Sequence, residues 1–207
     1  MLTHIGHSGK VLFMRIFIAA LVLIFSLQSW TKADDIRDFE IEGISIGDSL
    51  LDYFDEENIK KSIRKDYFNT INDNTFVIAS IRDFSFNTYE GVQFVFKRKD
   101  KKYKIYGMHG IIFFKKNISD CNTKLKEISH DISSNVKFEQ RDDFKDLNLG
   151  GDSGKYTGTT FFLKKGIISI HCYDWSKKIE YEKNWSDNLR VNIKTDEYED
   201  FLQKEEN

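Results

Sequence analysis

Tyr156 to Tyr173 reads YTGTTFFLKKGIISIHCY, and the way this stretch divides decides the fold. Tyr156 to Leu163 and Ile167 to Tyr173 are both rich in β-branched and aromatic residues, and Lys164-Lys165-Gly166 between them is a turn signal. Two strands joined so closely pair antiparallel. The same pattern occurs upstream. Val92 to Arg98 and Lys102 to Phe114 are strand-like runs joined by the polar Lys99-Asp100-Lys101, and Thr75 to Phe86 precedes them as a third β-rich run. Downstream, the alternation of Leu189, Val191 and Ile193 predicts one more strand.

Helical patterns flank these runs. Asp48 precedes Leu50, Leu51, Phe54, Ile59 and Ile63, which predicts one or two short amphipathic helices over 48–64. Ile118, Cys121, Leu125, Ile128 and Ile132 recur at spacings of three and four, a single apolar face, with Ser119 or Asp120 as the cap. The polar stretch that follows shows neither period and reads as a connection. Thr195 or Asp196 opens a terminal helix with Tyr198, Phe201 and Leu202 on one side. The predicted class is α+β, an antiparallel sheet or sheets with packed helices. The order is compatible with two helix-plus-three-strand halves and a C-terminal helix, although no residue-level repeat accompanies it.

The first 33 residues differ from the rest. Ile16 to Leu27 (IFIAALVLIFSL) is apolar apart from Ser26 and follows the basic Arg15. It is too short for a spanning helix of roughly 20 residues and suits the apolar region of a signal peptide, about 7–15 residues. Gln28 to Ala33 (QSWTKA) ends in a small residue, which places the cleavage after Ala33. Met14 is an alternative start, with residues 1–13 as a mis-assigned extension. An uncleaved anchor is the competing reading. Residues 34–207 then form one α+β domain, long enough to bury about 70% of its unfolded surface. The segment 1–33 carries Lys10, Arg15 and Lys32 and no acid, so the mature chain is three charges more negative than the formal −2 of the whole. An acidic chain is a poor nucleic-acid partner, because phosphate neutralisation supplies most of that affinity. The chain contains no Pro, where average usage is about 5%; together with abundant Lys, Ile, Asn and Phe this reads as coding bias.

Cys121 lies on the apolar helix face, and Cys172 shares strand parity with Ile168 and Ile170. Two inward cysteines in an exported chain predict a disulfide. It would close a loop of about 50 residues and stabilise by roughly 4 kcal/mol. The rival reading is a reactive thiol at Cys121, where the helix dipole would lower its pKa.

Several motifs imitate enzymes. Gly47-Asp48-Ser49-Leu50 resembles the signature of the GDSL serine esterases, which implies Ser49 as nucleophile. That family also needs an Asp-x-x-His, and His109, His130 and His171 all lack Asp three positions before them. Asn72-Asp73 lacks the Gly of a second family block. Capping by Asp48 or Ser49 explains the four residues. Gly151-Asp152-Ser153-Gly154 resembles the nucleophile segment of trypsin-like proteases, without the companion histidine segment. Gly150 to Lys155 half-resembles a P-loop, but Leu149 and Tyr156 stand where Gly and Ser or Thr belong. A Gly-rich turn accounts for both. No metal-ligand spacing occurs, although Asp142, Asp143 and Asp146 could hold calcium weakly. No cofactor is predicted.

Two surfaces could bind. Tyr173, Trp175, Tyr181 and Trp185 crowd within thirteen residues among Asp174, Lys177, Lys178 and Asp187, a pattern suited to stacking on a sugar, anchoring a partner or sealing the end of a sheet. Lys97 to Lys104 (KRKDKKYK) makes a basic hairpin tip that solvation alone explains. Gly43 to Phe54 (GISIGDSLLDYF) and Cys172-Tyr173-Asp174-Trp175-Ser176 resemble segments of uncharacterised small exported proteins of low-GC marine bacteria. That resemblance implies export and a shared fold and brings no activity. The functional expectation is an exported, non-catalytic module of the envelope or periplasm. Its partner would be an unidentified protein or small ligand, with no nucleic acid and no membrane span after cleavage. A serine esterase acting through Ser49 is the alternative.

Overall fold

The computed structural model describes residues 35–64, 75–83, 85–115 and 117–205; the predicted leader and Asn72-Asp73 lie outside them. The strands are β1 Glu40–Ile41, β2 Ile44–Ser45, β3 Phe76–Ile81, β4 Gly91–Lys97, β5 Ile105–Phe113, β6 Gln140–Asn148, β7 Gly154–Leu163, β8 Gly166–Trp175 and β9 Asn188–Thr195. The α-helices are α1 Glu56–Ser62, α2 Ile118–Asn135, α3 Lys177–Lys183 and α4 Asp196–Glu205. Seven strands form one antiparallel sheet in the order β3-β4-β5-β9-β8-β7-β6, and β1-β2 is a separate small hairpin. The class is α+β, as the sequence predicts. Strand β9 comes last in the chain, yet it inserts between β5 and β8.

Where the structure departs from the sequence reading, side chains supply the reason. The polar stretch after α2 contains β6, which nothing in its pattern announces. Its residues are nearly all exposed, because an edge strand pairs on one side only and need not alternate. The half that follows α2 therefore has four strands rather than three. Strand β3 stops at Ile81, and Asp83 then turns the chain by accepting the Ser85 N–H at 2.8 Å. Strand β5 starts at Ile105, since the Asp100 carboxylate accepts the Lys102 and Lys104 N–H groups at 2.9 and 3.1 Å and holds the tip as a turn. The cap of α2 is Asn117, accepting from Ser119 N–H at 3.0 Å; neither Ser119 nor Asp120 plays that part. Helix α3 has no counterpart in the sequence pattern; Ser176 caps it. Ahead of the sheet, Glu42 and Gly43 take positive φ in the β1-β2 turn, which suits a two-residue hairpin. The Glu42 carboxylate then accepts the backbone N–H groups of Asn87, Thr88 and Tyr89 at 2.8–2.9 Å.

The two faces of the sheet are covered unequally. One carries Phe94 and Phe96 of β4, Ile168 and Ile170 of β8, and Leu189 and Ile193 of β9, all buried in the main core. Helix α2 packs over β7, β8 and β9 on this side, and α1 beside β3. The other face is covered at one end only, where Tyr198 and Phe201 of α4 pack on Phe76, Ile78 and Val95. Gly107 permits that approach: a Cβ there would lie 2.8 Å from the Tyr198 ring, closer than real side chains come.

Cys121 of α2 and Cys172 of β8 form a disulfide with Cα atoms 6.0 Å apart. Both are buried, which removes the reactive-thiol alternative for Cys121. The sequence separation of 51 residues corresponds to roughly 4 kcal/mol of loop-closure stabilisation. A Cys121→Ala/Cys172→Ala variant should lose about 2–4 kcal/mol in chemical denaturation. An unchanged midpoint would mean the helix is held to the sheet by packing alone.

Candidate functional site

The half-open face is crossed by a row of polar side chains. Antiparallel register sets Ser80 beside Gln93, Gln93 beside His109, His109 beside Asn192, Asn192 beside Ser169 and Ser169 beside Thr160. Gln93, His109, Ser169 and Asn192 are buried. Period-two alternation explains the row, since each strand turns its apolar neighbours to the helix-covered side. Part of the row is internally bonded. The His109 Nδ1–H donates to Asn192 Oδ1 at 2.7 Å, and Asn192 Nδ2–H donates to Ser169 Oγ at 3.0 Å. A carbonyl oxygen only accepts, so the His109 proton sits on Nδ1. His109 Nε2, Gln93 Oε1, His171 Nε2 and Trp175 Nε1 have no hydrogen-bond partner among the described residues. Burial pushes the His109 imidazole down to about 3. Burial likewise pushes His171 down to about 4, helped by Lys194 and Arg190. Both rings are neutral near pH 7.

Next to this row runs a ladder of rings. Phe144 meets Tyr156 edge-on at 5.1 Å between centroids, and Tyr156 stacks with Tyr173 across the β7–β8 pair at 5.8 Å. Tyr173 stacks with Trp175 at 5.3 Å and 9° between planes, and Trp175 meets Trp185 at 4.7 Å and 63°. Arg190 lies 5.3 Å over the Tyr173 ring, a favourable cation–π distance. Asp187 fixes the turn into β9 by accepting the Trp175 backbone N–H at 2.8 Å; burial raises its pKa, as do Asp174 and Glu180 nearby.

Ladder and row together border a cleft of about 330 Å³ whose lining includes Gln93, Phe113, Trp175, Trp185, Asn188 and Arg190. That volume lies at the small end of ligand sites, roughly 300–1,000 Å³. A second cleft, of about 290 Å³, lies under α2 and is floored by Ile112, Ile168, Val191 and Ile193. Lys124, Glu127 and Asp131 also line it, and Lys124 is already paired with Glu127 at 3.1 Å. None of the unpartnered buried polar atoms belongs to a residue of this second cleft.

Of the four aromatic candidates, the structure brings Tyr173, Trp175 and Trp185 together. Tyr181 stands apart on α3 at 92% exposure: the helix that Ser176 caps turns it to solvent. Ser49 caps the short turn Leu50–Asp52, accepting from Leu51 N–H at 3.2 Å and donating to the Lys102 carbonyl at 2.6 Å. Gly150 and Gly151 take positive φ in the β6–β7 connection, which leads into a strand and not a helix. Asp143 is engaged by Arg141 and Thr159, Asp142 by Gln140, and Asp146 by Lys155. Among the described residues no three His, Cys, Asp or Glu side chains gather as metal ligands. In the basic tip, Lys97 pairs with Glu197 of α4.

The polar row escaped the sequence reading, although a signal for it exists. Ser80 in IASI, Gln93 in VQFVF, His109 in MHGI and Asn192 in VNIK each interrupt an apolar run at strand parity. Each alone reads as a surface position, and only the strand order aligns them. No family model, curated protein or solved structure gives a significant match to the chain.

The two neutral histidines make stability depend on pH in a definite direction. An unfolded His titrates near 6.5, whereas these hold out to about 3 and 4. Over that window the unfolded chain binds protons that the folded chain refuses. The stability is therefore full above pH 6.5 and falls as pH falls toward 4. Melting temperatures of the wild type and of His109→Gln across this range should converge at low pH. Parallel profiles would contradict the burial of a neutral His109.

Proposed function

We propose that this protein is an exported, non-catalytic module of the cell envelope, periplasmic in location, that binds a ring-bearing small ligand on the half-open face of its sheet. The observation that carries the reading is the conjunction at one cleft of stacked rings with buried polar groups that the protein leaves unpaired. Leaving such a group unpaired costs about 1–3 kcal/mol, and a mixed aromatic and amide lining is what small-molecule sites use for orientation. Trp185 is 47% exposed, so it offers a ring surface that the fold itself does not consume. A saccharide suits this surface, because its ring has an apolar face for Trp and hydroxyls for Gln93, Asn188 and Ser80.

The compartment rests on separate support. The Cys121–Cys172 disulfide is compatible with an oxidising space. Among the described residues no helix is long and apolar enough to cross a membrane. The apolar run 16–27 and the resemblance to small exported proteins point the same way. Protein recovered from the periplasm should begin at Asp34; an intact N-terminus on cytosolic protein would contradict export.

Binding is tested by titrating the tryptophan fluorescence of the mature protein with a panel of mono- and trisaccharides, neutral and acidic. Trp185→Ala should weaken the responding sugar at least about tenfold while leaving the melting temperature within a few degrees. A silent wild type across the panel would contradict the reading. So would unfolding of Trp185→Ala, which would make that ring part of the core.

A further inference from the structure

The cleft on the half-open face is also positively charged. The chain as a whole carries a formal charge of −2, yet Arg64, Arg82, Lys115 and Arg190 all line this cleft and no acidic residue does. Arg82, Lys115 and Arg190 have no acidic partner among the described residues. Arg82 lies 5.9 Å over the Phe113 ring and Arg190 lies 5.3 Å over Tyr173. Among the described residues, the Arg190 side chain makes one hydrogen bond, from Nε to Asn188 Oδ1 at 3.2 Å. A guanidinium stacked on a ring keeps its N–H groups in the plane of the fork, ready for a carboxylate or sulfate in bidentate fashion. Several cations elsewhere are paired, among them Lys97 with Glu197, Lys165 with Asp35, Lys194 with Glu199 and Lys155 with Asp146. Three unpaired cations converging on one cleft of a mildly acidic protein concentrate a positive field where the rings are.

We propose that the ligand is an acidic sugar, a pyranose bearing a carboxylate or a sulfate. Its ring face lies against Trp185 and Trp175, and its anionic group is held between Arg190 and Arg82. This deepens the saccharide reading and rests on it. A flat nucleobase fits less well. Trp175 and Trp185 meet at 63° and so form a corner rather than a parallel slot. The amides and hydroxyls of Gln93, Asn188, Asn184 and Ser80 at the same cleft suit a polyhydroxylated ring.

The experiment titrates the mature protein with four probes: trigalacturonate, a sulfated galacto-trisaccharide, the neutral galacto-trisaccharide and ATP. Tryptophan fluorescence and calorimetry are the readouts. An acidic trisaccharide should bind at least about tenfold more tightly than the neutral one in low salt, with the advantage shrinking as salt screens the charges. The better of the two acidic probes tells carboxylate from sulfate. Arg190→Gln and Arg82→Gln should each cut acidic binding about five- to tenfold, weaken any neutral binding by less, and leave the melt in place. Arg190→Lys should restore only part of the loss, because an ammonium lacks the fork. Equal binding of neutral and acidic trisaccharides overturns the acidic assignment while leaving the sugar reading intact. Tighter binding of ATP than of either acidic sugar overturns the sugar assignment. Silence from all four probes overturns both.

Discussion

Strand β9 is the constraint on which the rest of the molecule depends. It pairs with β5 on one side and β8 on the other, and without it the β3–β4–β5 and β6–β7–β8 stacks share no edge. Its alternation serves two purposes at once. Leu189, Val191 and Ile193 enter the helix-covered core, while Asn188, Arg190 and Asn192 stand on the opposite face beside the rings and the polar row. One strand therefore couples core packing to the chemistry of the cleft. Because a single-residue slip would exchange the two sets, the register of β9 is fixed by burial on one face and by the His109–Asn192–Ser169 hydrogen bonds on the other.

Unequal covering of the two faces follows from the lengths and places of the helices. Helix α2 spans Ile118–Asn135 and is tied by the disulfide to β8, so that face is closed. Helix α4 spans only Asp196–Glu205 and shields the Phe76, Ile78 and Val95 end of the other. The remainder would be a liability if it were apolar. It carries instead a polar row, a ring ladder and a set of cations, a composition that keeps the face from being apolar and leaves a cleft at the β8–β9 end. A structural role and a binding role ask for different details here. Solvation alone requires polar groups, whereas unpaired atoms of Gln93 and Trp175 beside guanidinium groups lying over rings are what a ligand would complete.

Much of the fold was legible in the residues, and the failures have physical causes. The two long hairpins, the amphipathic α2 and the Cys121–Cys172 pairing follow from period, turn chemistry and parity. The β6 strand was invisible because an exposed edge strand bears no apolar alternation: Gln140 to Asn148 looks like a loop in any local window. Helix α3 was hidden by its aromatic content, which drew Tyr181 into a cluster that helical geometry breaks apart. At the site, Tyr173, Trp175 and Trp185 are near in sequence and so were visible. Ser80, Gln93, His109, Asn192 and Ser169 come from five different strands and meet only through the strand order, which no local pattern encodes. Arg82 and Arg190 were equally silent, since an isolated cation on a strand reads as solvated surface.

The central claim is that ligand contact occurs on the half-open face and not under α2. Amide hydrogen exchange of the mature protein with and without saturating trigalacturonate tests it most directly. Added protection should fall on the loop 184–187, the end of β8 at Trp175 and the start of β9 through Arg190, with α2 unchanged. Protection concentrated in α2 and in the 87–89 loop would place the ligand in the apolar cleft and contradict the account.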